Sequence, residues 1–220
     1  MIKNEDLRTP WRVRLIVGLI AIALLGSTMA LYLTVFVQYG NQPGITAADT
    51  SELEQRYEEL AILVEGYRAE FSEKYFEQLV SYKSEVKGFN EVSLDKVEAR
   101  DLKRGDGREI DTASDPYLAF YIGWKPDEEI LDSSFDDFAS PTGLRVPLPG
   151  STSMIEGWLQ GIVGMQIGGV REISIPSDFA YKEGALKFIV MLIPYEEEQL
   201  ANIVEFNEVY QALMMAQYGE

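Results

Sequence analysis

The chain contains no cysteine and no histidine among its 220 residues. Without cysteine there is no disulfide framework, thiol nucleophile or thiolate metal site. Without histidine the commonest general base and the commonest transition-metal ligand are both missing. Ser-His-Asp, Cys-His and zinc-hydrolase chemistries are thereby excluded. Basic residues are scarce as well: 19 Lys and Arg stand against 36 Asp and Glu, a formal net charge of -17. Lys3, Arg8, Arg12 and Arg14 fall in the first 14 residues, which leaves 15 basic and 34 acidic residues for the rest. A surface of that sign repels phosphate backbones, so nucleic acid is not an expected partner. Any catalysis must come from carboxylates, tyrosines, lysines, or from shape and desolvation. No cofactor is called for by this residue content.

What is present begins with one long apolar run. Leu15 to Val37 is 23 residues without a charge, roughly 34 Å as a helix, against a hydrocarbon core of roughly 30 Å. A cleaved signal peptide would usually have a shorter apolar region of about 7–15 residues. Ser27-Thr28-Met29-Ala30 offers a conceivable processing site, but the run continues beyond it to Val37. The expectation is a transmembrane anchor at 15–37, with residues 1–14 cytoplasmic because their basic charge precedes the span. The main body is then expected outside the cytoplasm, in a single-pass cell-membrane protein. Residues 38–50, with Asn41-Gln42-Pro43-Gly44, read as a linker.

Residues 51–87 have the pattern of a long amphipathic helix opened by a capping box, Ser51-x-x-Glu54. Leu53, Tyr57, Leu60, Val64, Tyr67 and Phe71 recur at spacings of four and three, and Tyr75, Leu79 and Tyr82 continue the stripe. Two readings compete. The stripe of helix 51–86 can form a coiled-coil homodimer, although aromatic residues are unusual in such a seam. It can also pack on a C-terminal helix at 196–220, whose Leu200, Ile203, Tyr210 and Leu213 share one face. That second helix has no other obvious partner, which favours the intrachain pairing.

Between these helices, residues 88–195 change to short strands and turns. Leu118–Trp124, Arg171–Pro176 and Leu186–Leu192 are strand-like, rich in aromatic and β-branched residues. The one convincing internal helix runs from Ile155 to about Met165. The fold class is therefore α+β. Inside that helix, Gly157-Trp158 is an odd choice for plain core filling. A broad indole with no neighbouring side chain in the way suits the floor of a pocket for a small apolar ring.

The ordered motifs of this region resemble those of the FKBP-type peptidyl-prolyl isomerases over roughly Val92 to Tyr195. They are Gly105-Asp106-Gly107, Phe120-Tyr121-x-Gly123, Leu131-Asp132-Ser133-Ser134, Met154-Ile155-x-Gly157-Trp158, Gly168-Gly169-x-Arg171, Ile175-Pro176, Phe179-Ala180-Tyr181 and the alternating Leu186 to Leu192. The resemblance implies a half-wrapped antiparallel sheet around one short helix, with a proline ring lying on Trp158. It implies catalytic roles for Asp132, Tyr181, Trp158 and Tyr121, and a pocket completed by Leu131, Leu144, Val146, Met154, Ile155 and Phe188. It also implies proline-containing polypeptide clients. The Tyr181 hydroxyl and the Ile155 N–H would hold substrate carbonyls, and Asp132 would contact the twisting amide. Asp132, Asp136 and Asp137 match no calcium loop, and no metal site is expected.

Two departures temper the resemblance. Tyr181 to Ala185 makes in a few residues a crossing that in strongly active members is a long loop. Leu131 and Leu144 stand where aromatic walls are usual, losing ring-stacking area. The expected function is a membrane-anchored, extracytoplasmic prolyl isomerase with reduced or restricted activity, assisting the folding of exported or surface proteins. The alternatives are a non-catalytic chaperone or assembly scaffold of the same fold, working through its helices, and a small-molecule or ion receptor. The deciding observation is whether Trp158 faces an open groove or is covered; a covered tryptophan is expected to end the catalytic case.

Overall fold

Alternating apolar residues and helix formers carry the chain into α1, Ala47–Ser81, in the computed structural model, which describes residues 47–150, 154–182 and 184–218. The helix is already formed at Ala47, so Ser51 and Glu54 lie inside it and do not open it. Alanines at 47 and 48 carry the helix through that earlier turn. The predicted stripe is the buried face: Leu60, Val64, Phe71, Tyr75 and Leu79 are buried, with Tyr57 and Tyr67 half-buried. A 3-10 turn, Tyr82–Glu85, ends it.

The strands are β1 (Glu98–Lys103), β2 (Leu118–Trp124), β3 (Ile130–Ser133), β4 (Leu148–Pro149), β5 (Val170–Ile175) and β6 (Leu186–Ile193). They form one six-stranded antiparallel sheet of order β1-β5-β6-β2-β3, with β4 paired to β2. The helix α2, Glu156–Ile162, lies on one face. The C-terminal helix α3, Glu197–Tyr218, follows β6 almost at once. At its start Gln199 Oε1 reaches back to accept the Glu196 N–H at 2.9 Å.

Both faces of the sheet are apolar, and both are covered. On β2, Leu118, Phe120, Ile122 and Trp124 turn one way, toward Phe71, Tyr75, Phe76 and Leu79 of α1 and Leu200 and Ile203 of α3. Ala119 and Tyr121 turn the other way, toward Trp158 and Ile162 of α2. The same split runs along β6, with Ile189, Met191 and Ile193 on one side and Phe188, Val190 and Leu192 on the other. Each fully buried Leu, Ile or Phe contributes on the order of 1.5–3 kcal/mol, so the helical layer is a large share of the core. The Trp124 indole N–H closes the seam by donating to the Lys87 carbonyl at 3.0 Å.

The helices α1 and α3 pair antiparallel within the chain. Tyr57 stacks on Phe206 with ring centroids 5.2 Å apart. Arg56 grips Glu205 through two N–H donors at 2.6 and 2.8 Å. Asn202 donates to the Tyr67 hydroxyl at 2.8 Å, and Gln199 to Glu70 at 3.1 Å. The stripe proposed for a homodimer through helix 51–86 is thus occupied by the chain's own C-terminal helix.

The membrane reading is corrected. Among the described residues no helix is long and apolar enough to cross a membrane. The segment 15–37 on which the anchor rested lies outside the described residues, as do residues 1–14 and most of the 38–50 linker. The α+β fold with a partly wrapped antiparallel sheet stands, with no transmembrane helix among the described residues. Membrane partnering and an extracytoplasmic, single-pass location are withdrawn with the anchor.

Candidate functional site

The site grows from the β2–β3 pair. Register places Gly123 opposite Asp132 and Ile122 opposite Ser133. Tyr121 reaches across, and its hydroxyl donates to Asp132 Oδ2. Asp132 Oδ1 accepts the Ser133 N–H at 2.8 Å and Arg145 Nη2 at 3.4 Å. Arg145 also pairs through Nε with Asp136 at 2.9 Å. Ser134 locks the strand from below: its Oγ accepts the Tyr121 N–H at 2.9 Å, and its N–H donates to the Tyr121 carbonyl at 2.9 Å. Burial, then the Asp132 carboxylate, pushes the Tyr121 hydroxyl far above the usual phenol range. It therefore remains a donor at any physiological pH.

Tyr181 stands nearby and is 44 % exposed. Burial and then the charge of Asp132 raise its hydroxyl above the ordinary value. Beneath this polar rim lie the rings. The Trp158 indole meets the Tyr121 ring edge-on at 5.7 Å and the Phe188 ring edge-on at 5.3 Å. Its N–H donates to the Tyr117 hydroxyl at 2.9 Å. Met154 and Ile155, both half-buried, pack on the same cluster. Ile155 is the N-cap of α2, and its carbonyl accepts the Trp158 N–H at 3.0 Å.

Of the residues expected to form the site, the structure gathers Tyr121, Asp132, Tyr181, Trp158, Phe188, Met154 and Ile155. Leu131 lies at the exposed rim, 37 % accessible. Leu144 and Val146 do not join them. Leu144 is 1 % exposed, and both pack into the core shared with α1. The expected open face of Trp158 is absent as well: the residue is 0 % exposed.

Gly157 also has a different reason from the one expected. A Cβ there would collide with Ile175, and one at Gly161 would collide with Ile173. The two glycines sit one turn apart so that α2 can press against β5, and neither clears a path to a pocket. Two residues were missed by reading the sequence. Arg145 was visible only as a lone cation between the apolar Leu144 and Val146. Tyr117, fully buried just before β2, carried no signal beyond being aromatic.

Comparison with known proteins bears on what this arrangement is. The profile described as FKBP-type peptidyl-prolyl cis-trans isomerase matches residues 112–202. An FK506-binding protein of Neisseria meningitidis serogroup B is 34% identical over 84 residues, which is 37% of this chain and 70% of that protein. The chain belongs to the FKBP-type peptidyl-prolyl isomerase family. Other FKBP relatives match a stretch of similar length but are much longer proteins. The human FK506-binding protein 15 is 34% identical over 84 residues, but the match spans only 7% of its length. FK506-binding protein 4 of Chaetomium thermophilum is 34% identical over 86 residues, 17% of its length. Among solved structures, a peptidyl-prolyl cis-trans isomerase from Pseudomonas syringae pv. tomato is 26% identical, with a TM-score of 0.38 over 57% of this chain and 93% of that one.

The crossing from Tyr181 to β6 takes only residues 182–185. Lys182 takes a positive φ of 63° and Gly184 one of 130°. The Lys182 N–H donates to the Ser177 carbonyl at 3.2 Å, and the Ala185 N–H to Glu91 Oε2 at 3.3 Å. The short loop is thus pinned at both ends.

Proposed function

We propose that this chain is a peptidyl-prolyl cis-trans isomerase of reduced or substrate-restricted activity, acting on proline-containing polypeptides, with residues 88–195 as its isomerase region. The observation that carries the reading is the Asp132 carboxylate, fixed by Arg145 and by the hydroxyl of Tyr121, whose ring packs against Trp158, in a chain of this family. Rotation about a prolyl bond needs no proton transfer. Its barrier of about 18–20 kcal/mol comes from amide resonance. An apolar setting weakens that resonance because the charge-separated form loses solvation, and each 1.4 kcal/mol or so removed from the barrier gives a tenfold gain. In this reading Tyr181 and the Ile155 N–H hold carbonyls flanking the proline, and Asp132 faces the turning amide.

The open groove that the sequence reading required over Trp158 is not met in this structure, where the indole is covered, so isomerisation in this proposal depends on the site opening. A proline ring can rest on Trp158 only after side chains packed over it move aside, and that displacement is subtracted from binding. Phe188 is wedged over Gly123, where no Cβ could fit, and Tyr121 is tied to Asp132 by its hydroxyl. The same closure supports a second reading, a non-catalytic binding module of this fold. The two separate in a proline-limited refolding assay with the full chain. Acceleration that falls at least tenfold in Asp132→Ala supports isomerisation. An unmutated chain that gives no acceleration yet suppresses client aggregation supports the binding module.

A further inference from the structure

The helix α1 lies outside the residues matched by the family profile, yet it grips the segment that carries Arg145. Arg68 Nη1 donates to the carbonyls of both Thr142 and Leu144, at 3.0 and 3.1 Å. These carbonyls flank Gly143, and Arg145 follows directly. One turn further along α1, the Ser72 hydroxyl donates to the Pro141 carbonyl. Phe76 meets Phe135 edge-on at 5.8 Å, and Lys83 lies 4.3 Å from the Phe138 ring centre. Three positions along α1 and one on the 3-10 turn that ends it thus hold the stretch from Phe135 to Leu144.

Arg68 is itself oriented. Its Nε donates to Glu65 Oε2 at 2.7 Å and its Nη2 to Glu65 Oε1, a paired grip that fixes the guanidinium plane. With that edge occupied, Nη1 is left facing the two carbonyls. A lysine, with one compact ammonium, cannot hold the glutamate through two bonds and both carbonyls at once. At the other end of the turn, the Arg145 N–H donates to the Ser134 carbonyl at 2.9 Å, and its side chain reaches Asp132 and Asp136. Arg145 is therefore held at its backbone from two sides before its guanidinium reaches the site.

We infer that Arg68 is a positioning residue for the prolyl site: through the Thr142 and Leu144 carbonyls it sets where Arg145 meets Asp132. This assignment rests on the proposed isomerase reading for its effect on activity, but its structural half can be tested separately. Arg68→Ala and Arg68→Lys are compared with the unmutated full chain, with Arg145→Ala, and with the Arg68→Ala, Arg145→Ala double variant. The expected result is a fall of about fivefold to tenfold in kcat/KM for either Arg68 variant. Removing Arg68 from the Arg145→Ala background should cause no further loss, because Arg68 acts through Arg145. The second measurement is the NMR signal of the Arg145 Nε–H and its exchange with water. It should lose protection in both Arg68 variants, while the Tyr57 and Phe206 ring signals of the α1–α3 pair stay in place. Arg68→Lys keeps the charge and the aliphatic stem, so it serves if Arg68→Ala does not fold.

An unchanged Arg145 Nε–H signal in the lysine variant overturns the assignment. So does a further loss of activity on adding Arg68→Ala to Arg145→Ala, which would make Arg68 a contributor to general stability only. If the unmutated chain shows no isomerase activity, the proposed function fails, and the NMR comparison still decides the positioning role.

Discussion

Three helical glycines receive the same substitution and should respond with opposite signs. Gly66 lies in the interior of α1, where a Cβ would have nothing within 4 Å. Gly66→Ala should therefore stabilise by about 0.8–1 kcal/mol, the helix-propensity difference between the two residues. Gly157 and Gly161 gain the same propensity term, but a Cβ on either would overlap Ile175 or Ile173 more closely than real Cβ atoms approach anything. Those isoleucines are fully buried on β5, and the overlapped atoms are branches close to the backbone. Relief requires α2 to lift from the sheet, at a cost of roughly 1–3 kcal/mol for overpacking. Set against a gain of about 1 kcal/mol, Gly157→Ala should come out destabilised by up to about 2 kcal/mol. Urea unfolding of the full chain, followed by tryptophan fluorescence, measures all three. A cycle with Ile175→Ala sharpens the test, since emptying that volume should turn Gly157→Ala from harmful to neutral. If Gly157→Ala stabilises the chain as Gly66→Ala does, the close seating of α2 on β5 is wrong.

Other outcomes follow from the same contacts. Burial pushes the Tyr117 hydroxyl up to about 12, so its contribution to stability is fully present below about pH 10, the unfolded phenol value, and is lost as pH rises through the folded value. Urea midpoints should fall between pH 10 and 12. In Tyr117→Phe they should fall less steeply, while the neutral-pH stability drops by about 1–3 kcal/mol because the buried Trp158 N–H loses its acceptor. Leu79→Ala, at a position 0 % exposed on α1, should cost about 2–5 kcal/mol, measured by the same urea curves. A loss under 1 kcal/mol would show that α1 is dispensable to the sheet. Tyr121→Phe keeps the ring against Trp158 but frees Asp132 from its hydroxyl; refolding acceleration should drop several-fold with little change in thermal midpoint.

The parts of the fold that were legible were those where periodicity and burial agree. The stripe from Tyr57 to Leu79 announces one buried helix face. The runs at 118–124 and 186–193 are strands because their β-branched and aromatic residues suit a pleated surface packed on both sides. By the same logic, seven consecutive apolar or small residues in β2 imply two covered faces, and the helices supply the second cover. The strand β1 was not legible, because an edge strand tolerates charge: Glu98, Arg100, Asp101 and Lys103 are all exposed. Within the site, the motifs identified Asp132, Tyr121 and Trp158 as neighbours. What escaped them depends on the path of the chain between motifs. Whether Leu144 faces the groove or α1 is decided by the turn at Gly143, whose missing Cβ lets the backbone approach that of Asp137. No local pattern records that approach.

The two-sided burial of β2 also changes how its alignment is enforced. In a sheet with one wet face, sliding a strand by one residue drives its apolar set into water, and hydrophobicity alone rejects the slip. Here such a slip would exchange Phe120 and Ile122 for Ala119 and Tyr121 with little apolar surface exposed. Shape must reject it instead. Gly123 is the one position on β2 that admits the Phe188 ring, and Gly150 is where the chain makes room for Tyr117. Between them, two absent side chains hold the strand that carries Tyr121 to the alignment in which its hydroxyl finds Asp132.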